Sequence, residues 1–104
     1  MHNIKYSNQA SLDLDDAISY IAKESVTNAI AYLYRYEEKI ELLKENPYMG
    51  VECKNKLIKR DCRVLVHESH IIIYKIYKEK NEILLVRIFH SSENYPNKIN
   101  NIME

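Results

Sequence analysis

Residues 70–77 read HIIIYKIY and decide the fold. Four isoleucines and two tyrosines in eight positions are the strongest strand signal in the chain. Upstream, RVLVH (63–67) is again apolar and rich in β-branched residues. Downstream, KEKNE (78–82) reads as a turn and ILLVRIF (83–89) as a third strand. Links this short make the three strands antiparallel neighbours in a meander.

The first half has a different period. HNIKYS (2–7) alternates polar and apolar residues through Ile4 and Tyr6, the pattern of a short first strand. From about Ser11 to Glu24, Leu14, Ala17, Ile18, Ile21 and Ala22 recur at helical steps, and Asp13, Asp15 and Asp16 near the start complement the helix dipole. Ser25 or Thr27 can cap a second, longer helix with a stripe through Ile30, Leu33, Ile40 and Leu43. It stops at Asn46-Pro47, since proline supplies no backbone donor. The short link predicts an antiparallel helical hairpin. The expected class is α+β: a short N-terminal strand, then a helical hairpin packed on one face of a small antiparallel sheet, in the order β-α-α-β-β-β.

At 104 residues the chain is expected to be one domain, residues 1–104, with about 96–104 as a tail that frays or forms a short helix. With 46% hydrophobic and 29% charged residues, the balance is that of an ordinary globular protein. No run approaches the ~20 apolar residues a membrane span needs, and no signal peptide is visible. Cys53 and Cys62 are too few for a disulfide framework, so a reduced, cytoplasmic setting is expected. A single glycine argues against a Gly-rich phosphate loop. His67 and His70 flank a turn without a third ligand at regular spacing, and neither metal nor cofactor is expected.

The formal net charge of zero hides an asymmetry: residues 1–52 carry 5 basic and 9 acidic side chains, residues 53–104 carry 10 and 6. Lys54, Lys56, Lys59, Arg60 and Arg63 concentrate the excess in a segment that suits phosphates or an acidic protein surface. Strict alternation along 83–89 puts Leu84, Val86 and Ile88 under the helices. Leu85, Arg87 and Phe89 then fall on the open face, with Arg87 exposed and removable at about 1 kcal/mol; the alternative is an Arg87 buried and paired with an acid. The facing of Arg63 depends on the register of a hairpin turn, Glu68-Ser69, that is not a strong one.

Three segments, ELLKENPYMG (41–50), RVLVHESHIIIYKI (63–76) and LVRIFHSSEN (85–94), give the chain from Ile4 to about Tyr95 a pattern that resembles the RelE/ParE toxins of type II toxin–antitoxin pairs. The hairpin closed by NP-x-x-G is more similar to the ParE branch. The resemblance implies a growth-inhibiting toxin that binds DNA gyrase, and a cognate antitoxin that wraps it in a hetero-oligomer. The RelE branch implies instead a ribosome-dependent mRNA endonuclease, and a third possibility is a non-toxic binding module. Two features depart from the family: Glu93 stands where a basic residue is common, and the net charge of zero is low.

RNA cleavage needs a base for the 2′-hydroxyl, cations for the phosphorane and an acid for the leaving oxygen. Arg63, Arg87, His90 and Tyr95 are the candidates, with Glu93 as an alternative base. Against that, His90 can simply cap its strand and Tyr95 can pack on the first helix. For target or antitoxin binding the candidates are Lys59, Arg60, Arg63, Leu85, Arg87 and Phe89, with Leu85 and Phe89 leaving an exposed apolar patch. Tyr20, Tyr32, Tyr34 and Tyr36 lie on the acidic helical pair, where packing or antitoxin contact is expected.

Overall fold

The computed structural model describes residues 1–53 and 62–92. Its elements are β1 (Asn3–Tyr6), α1 (Asn8–Glu24), α2 (Val26–Glu45), β2 (Val51–Glu52), β3 (Arg63–His67), β4 (His70–Tyr77) and β5 (Glu82–His90). The α+β class and the helical hairpin are as the sequence predicts. Helix α1 begins three residues before the expected Ser11, because the Ser7 hydroxyl accepts the Ala10 amide and caps it. Ser25 caps α2 through the Asn28 amide, and Asn46 closes it.

The sheet is five-stranded, in the order β1-β5-β4-β3-β2. The expectation of a wholly antiparallel sheet is corrected at one edge: β1 runs parallel to β5, Asn3 opposite Glu82 through Tyr6 opposite Leu85. A parallel neighbour is possible there because the whole hairpin lies between β1 and its partner in sequence. The central strand β4 is buried from His70 to Tyr74. That explains its nearly continuous apolar run.

Tyr32, Tyr36, Ile40 and Leu43 of α2 and Ala10 of α1 pack on the helix-side face of the sheet, against Leu65, Ile72, Tyr74, Ile83, Leu85 and Ile88. Cys62, Ile71, Ile73, Val86 and Phe89 form a second buried cluster, with Val64 and Leu84 beside it. Leu85 and Phe89 are therefore both buried, at 0% and 1% exposure, and neither forms the open apolar patch expected of them. Exposed apolar side chains lie on the helices, with Val26, Ile30 and Tyr34 four residues apart along α2 and Tyr20 on α1, and at the other side of the sheet, with Val51 and Val66.

A second correction concerns the cysteines. Cys53 and Cys62 continue the β2–β3 ladder, in which Val51 faces Val64 and Glu52 faces Arg63, and the Cys53 amide donates to the Cys62 carbonyl. The register brings their Cα atoms to 5.4 Å, and the two are joined as a disulfide. Among the described residues no helix is long and apolar enough to cross a membrane.

Candidate functional site

The parallel ladder to β1 ends at Leu85, so β5 would leave its outer backbone groups unpaired beyond that point. Side chains of α1 and its cap take the place of the missing strand. Ser7 donates its amide to the Leu85 carbonyl at 3.0 Å and its hydroxyl to the Val86 carbonyl at 2.7 Å. The Asp13 carboxylate accepts the Ile88 amide at 2.9 Å.

At the same point the strand bulges. Ile73 faces Arg87 while the next residue, Tyr74, faces Leu85, so Val86 is an extra residue on β5. One inserted residue shifts the phase of alternation. Leu85 and Ile88 thereby both join the helix-side core, and Val86 and Phe89 the other cluster. The expected set of Leu84, Val86 and Ile88 under the helices is wrong for the first two.

Arg87 stands opposite Ile73 on the same face as Phe89, and its long side chain reaches α1. Its Nε and Nη2 donate to the two carboxylate oxygens of Asp13 at 2.7 and 3.1 Å. The guanidinium carbon lies 4.6 Å from the centre of the Phe89 ring. The side chains of Arg87 and Asp13 are only 16% and 11% exposed. Arg87 is thus not the exposed cation of an open face; it is a bidentate pin between sheet and helix.

Arg63, on the helix side at the far edge of the sheet, is held by neutral acceptors. Its Nη2 donates to the carbonyls of Tyr48 and Gly50, and its Nε also reaches Gly50. Tyr74 completes this corner: its buried hydroxyl donates to the Pro47 carbonyl and accepts the Gly50 amide. The NP-x-x-G segment is therefore a socket for Arg63 and Tyr74. A Cβ on Gly50 would stand 2.5 Å from that hydroxyl and 2.7 Å from the Val64 carbonyl, which is why glycine occupies the position.

At the opposite end of the sheet three histidines stand side by side. His67 faces His70 across the β3–β4 turn, and His70 faces His90 on β5. Glu68, with φ of 55°, supplies the left-handed turn residue, and its carboxylate takes a bidentate hydrogen bond from Arg35 of α2. Tyr32 of α2 hydrogen-bonds His70 Nδ1 at 2.7 Å and packs edge-on to both buried imidazoles. Burial, reinforced by the Glu68 charge, pushes the Tyr32 phenol up to about 12.

Beside this row an open cleft of about 640 Å³ separates α1 from the ends of β4 and β5, and Asp13, Asp16, Tyr20, His70, Arg87 and His90 line it. The His70 and His90 rings meet edge to face at 5.5 Å, and His90 Nδ1 lies 2.8 Å from the Ser92 hydroxyl. The cleft offers imidazoles and carboxylates at its walls, while its guanidinium is already paired.

Of the candidate catalytic set, Arg87 and His90 line this cleft and Arg63 lies at the opposite corner of the sheet. Lys59, Arg60, Glu93 and Tyr95 lie outside the described residues. Sequence reasoning missed Asp13 as the partner of Arg87 and His70 as the centre of the histidine row. The register His67–His70–His90 was implicit in two short hairpins, but Asp13 lies 74 positions from its arginine and carries no local signal. Among the described residues no group of three or more histidine, cysteine or acidic side chains is arranged to hold a metal.

No curated protein matches the chain. Among solved structures it is similar to a chain of the chromosomal ParDE toxin–antitoxin system from P. aeruginosa, with a TM-score of 0.67 at 19% identity over 86% of this chain and 96% of that one. The isolated E. coli RelE toxin superposes with a TM-score of 0.60 at 13% identity, covering 98% and 99% of the two chains. A metal-bound toxin from Helicobacter pylori gives 0.59 at 23% identity, covering 90% and 99%. These likenesses establish a shared fold. The model of the ParE toxin of type II toxin–antitoxin systems (parDE) matches residues 4–95, and the chain belongs to that family.

Proposed function

We propose that this ParE-family toxin arrests growth by binding DNA gyrase and that a cognate antitoxin neutralises it. The observation that carries the binding reading is the engagement of both candidate phosphate-binding arginines. Arg87 is paired with Asp13, and Arg63 is held by the Tyr48 and Gly50 carbonyls. Using either one on a scissile phosphate would first require breaking these bonds. The exposed Val26, Ile30 and Tyr34 of α2, with Tyr20 of α1, support antitoxin contact on the helical hairpin rather than through Leu85 and Phe89. The basic excess between residues 53 and 63 supports a second contact with an acidic surface.

Expression without antitoxin should arrest growth, and the purified protein should inhibit gyrase supercoiling. Unchanged supercoiling at saturating toxin would remove the gyrase target. One observation favours a ribosome-dependent mRNA endonuclease instead: the His70–His90 pair puts two titratable rings at one cleft. New cuts in translated messages after induction would establish that reading.

A further inference from the structure

The histidine row has no part in gyrase binding as proposed above, yet its construction is unusual for a core. His67 and His70 are only 6% and 9% exposed and lie in direct cross-strand register. The edges of Tyr32 and Tyr36 cover His67, and Tyr32 also covers His70, so these two imidazoles form the seat of the middle of α2. Among the described residues His67 Nε2 has no hydrogen-bond partner; Glu68 Oε2 lies 3.3 Å away, at ion-pair distance but outside hydrogen-bond geometry. We infer that this row is a proton-sensitive latch, which holds α2 on the sheet while His67 is neutral and releases α2 when His67 charges.

Among the described residues, the charged and titratable groups facing His67 and His70 come from α2, the β3–β4 turn, β5 and α1. Helix α2 presents Tyr32, Arg35, Tyr36 and Lys39, and the β3–β4 turn presents Glu68. From β5 comes His90, while Asp13 and Asp16 of α1 share the cleft with His70, together with Tyr20 and Arg87. Glu68 already has a bidentate partner in Arg35, which holds its carboxyl below the usual range, so it stays charged through the histidine range. Lys39 adds a further positive charge, against which a protonated His67 would be unfavourable.

Burial holds the His67 imidazole below the ordinary value of 6.5, with Glu68 opposing and Lys39 and Arg35 reinforcing the shift. The unfolded chain therefore takes up this proton before the folded chain does. Stability is complete above that pH and is lost as pH falls below it, by up to about tenfold in the folding constant per pH unit for this one histidine.

Urea unfolding of the intact toxin between pH 8 and 5.5 tests the latch, together with NMR titration of the imidazoles and hydrogen exchange along α2. The folding constant should drop by up to about fivefold between pH 6.5 and 5.5. His67 should titrate below 6.5, and amides near Tyr32 and Tyr36 should lose protection before those of β4. A His67→Phe variant that folds should flatten the pH slope; if it fails to fold, the wild-type titration decides alone. Constant stability across the range, a His67 that titrates at or above 6.5, or a folded His67→Phe variant with the wild-type slope would each overturn the inference.

Discussion

Arg63 and Arg87 are buried to nearly the same degree, with side chains 18% and 16% exposed, but they are held by different chemistry. Arg87 meets a carboxylate from a distant helix, and the same carboxylate accepts a backbone amide. Arg63 meets two carbonyls from the nearby loop and the face of Tyr48, with Glu52 at 3.7 Å and more than half exposed. The environment of the partner decides what each arginine contributes. Removing Arg87 strands a buried charge, whereas removing Arg63 leaves neutral acceptors, one exposed at Tyr48 and one part-buried at Gly50.

The largest effect should follow Arg87→Ala. It leaves Asp13 desolvated and unpaired, at a cost of about 3 kcal/mol, measured as a lowered urea midpoint with an unchanged slope. A loss below about 1 kcal/mol would return Arg87 to the exposed role that alternation assigns it. Next comes Gly50→Ala, which strikes the other corner through its scaffold. The new Cβ must displace the Tyr74 hydroxyl or the Val64 carbonyl, costing about 2 kcal/mol by the same measurement. The smallest change is expected from Arg63→Ala, about 1 kcal/mol for hydrogen bonds to carbonyls that water can partly replace. If Arg63→Ala proves as costly as Arg87→Ala, the distinction between the two corners fails.

The contrast also marks where the sequence is legible. Strands β3 and β4 fall on the expected residues, 63–67 and 70–77, because each is an apolar run bounded by turn residues. Helix α2 ends as expected, at a proline that cannot continue it. The bulge at Val86 leaves no such mark, since it is a relation between β5, β4 and a helix far away in the chain. Strict alternation therefore misplaced Leu84, Leu85 and Val86 together, although each lies in a correctly expected strand. The cysteine pair was missed for a related reason: β2 has only two residues, and its register, not its composition, sets Cys53 against Cys62.

The most direct measurement is gyrase supercoiling in the presence of an Asp13→Asn/Arg87→Met double variant beside the wild-type toxin, with folding checked by circular dichroism. The double variant removes both charges together, and the asparagine amide oxygen can still accept the Ile88 amide, so the fold should survive. The account predicts that both proteins inhibit supercoiling at similar concentrations, because Arg87 holds the sheet to α1 and does not engage the target. A folded double variant that no longer inhibits, beside a wild type that does, would contradict it.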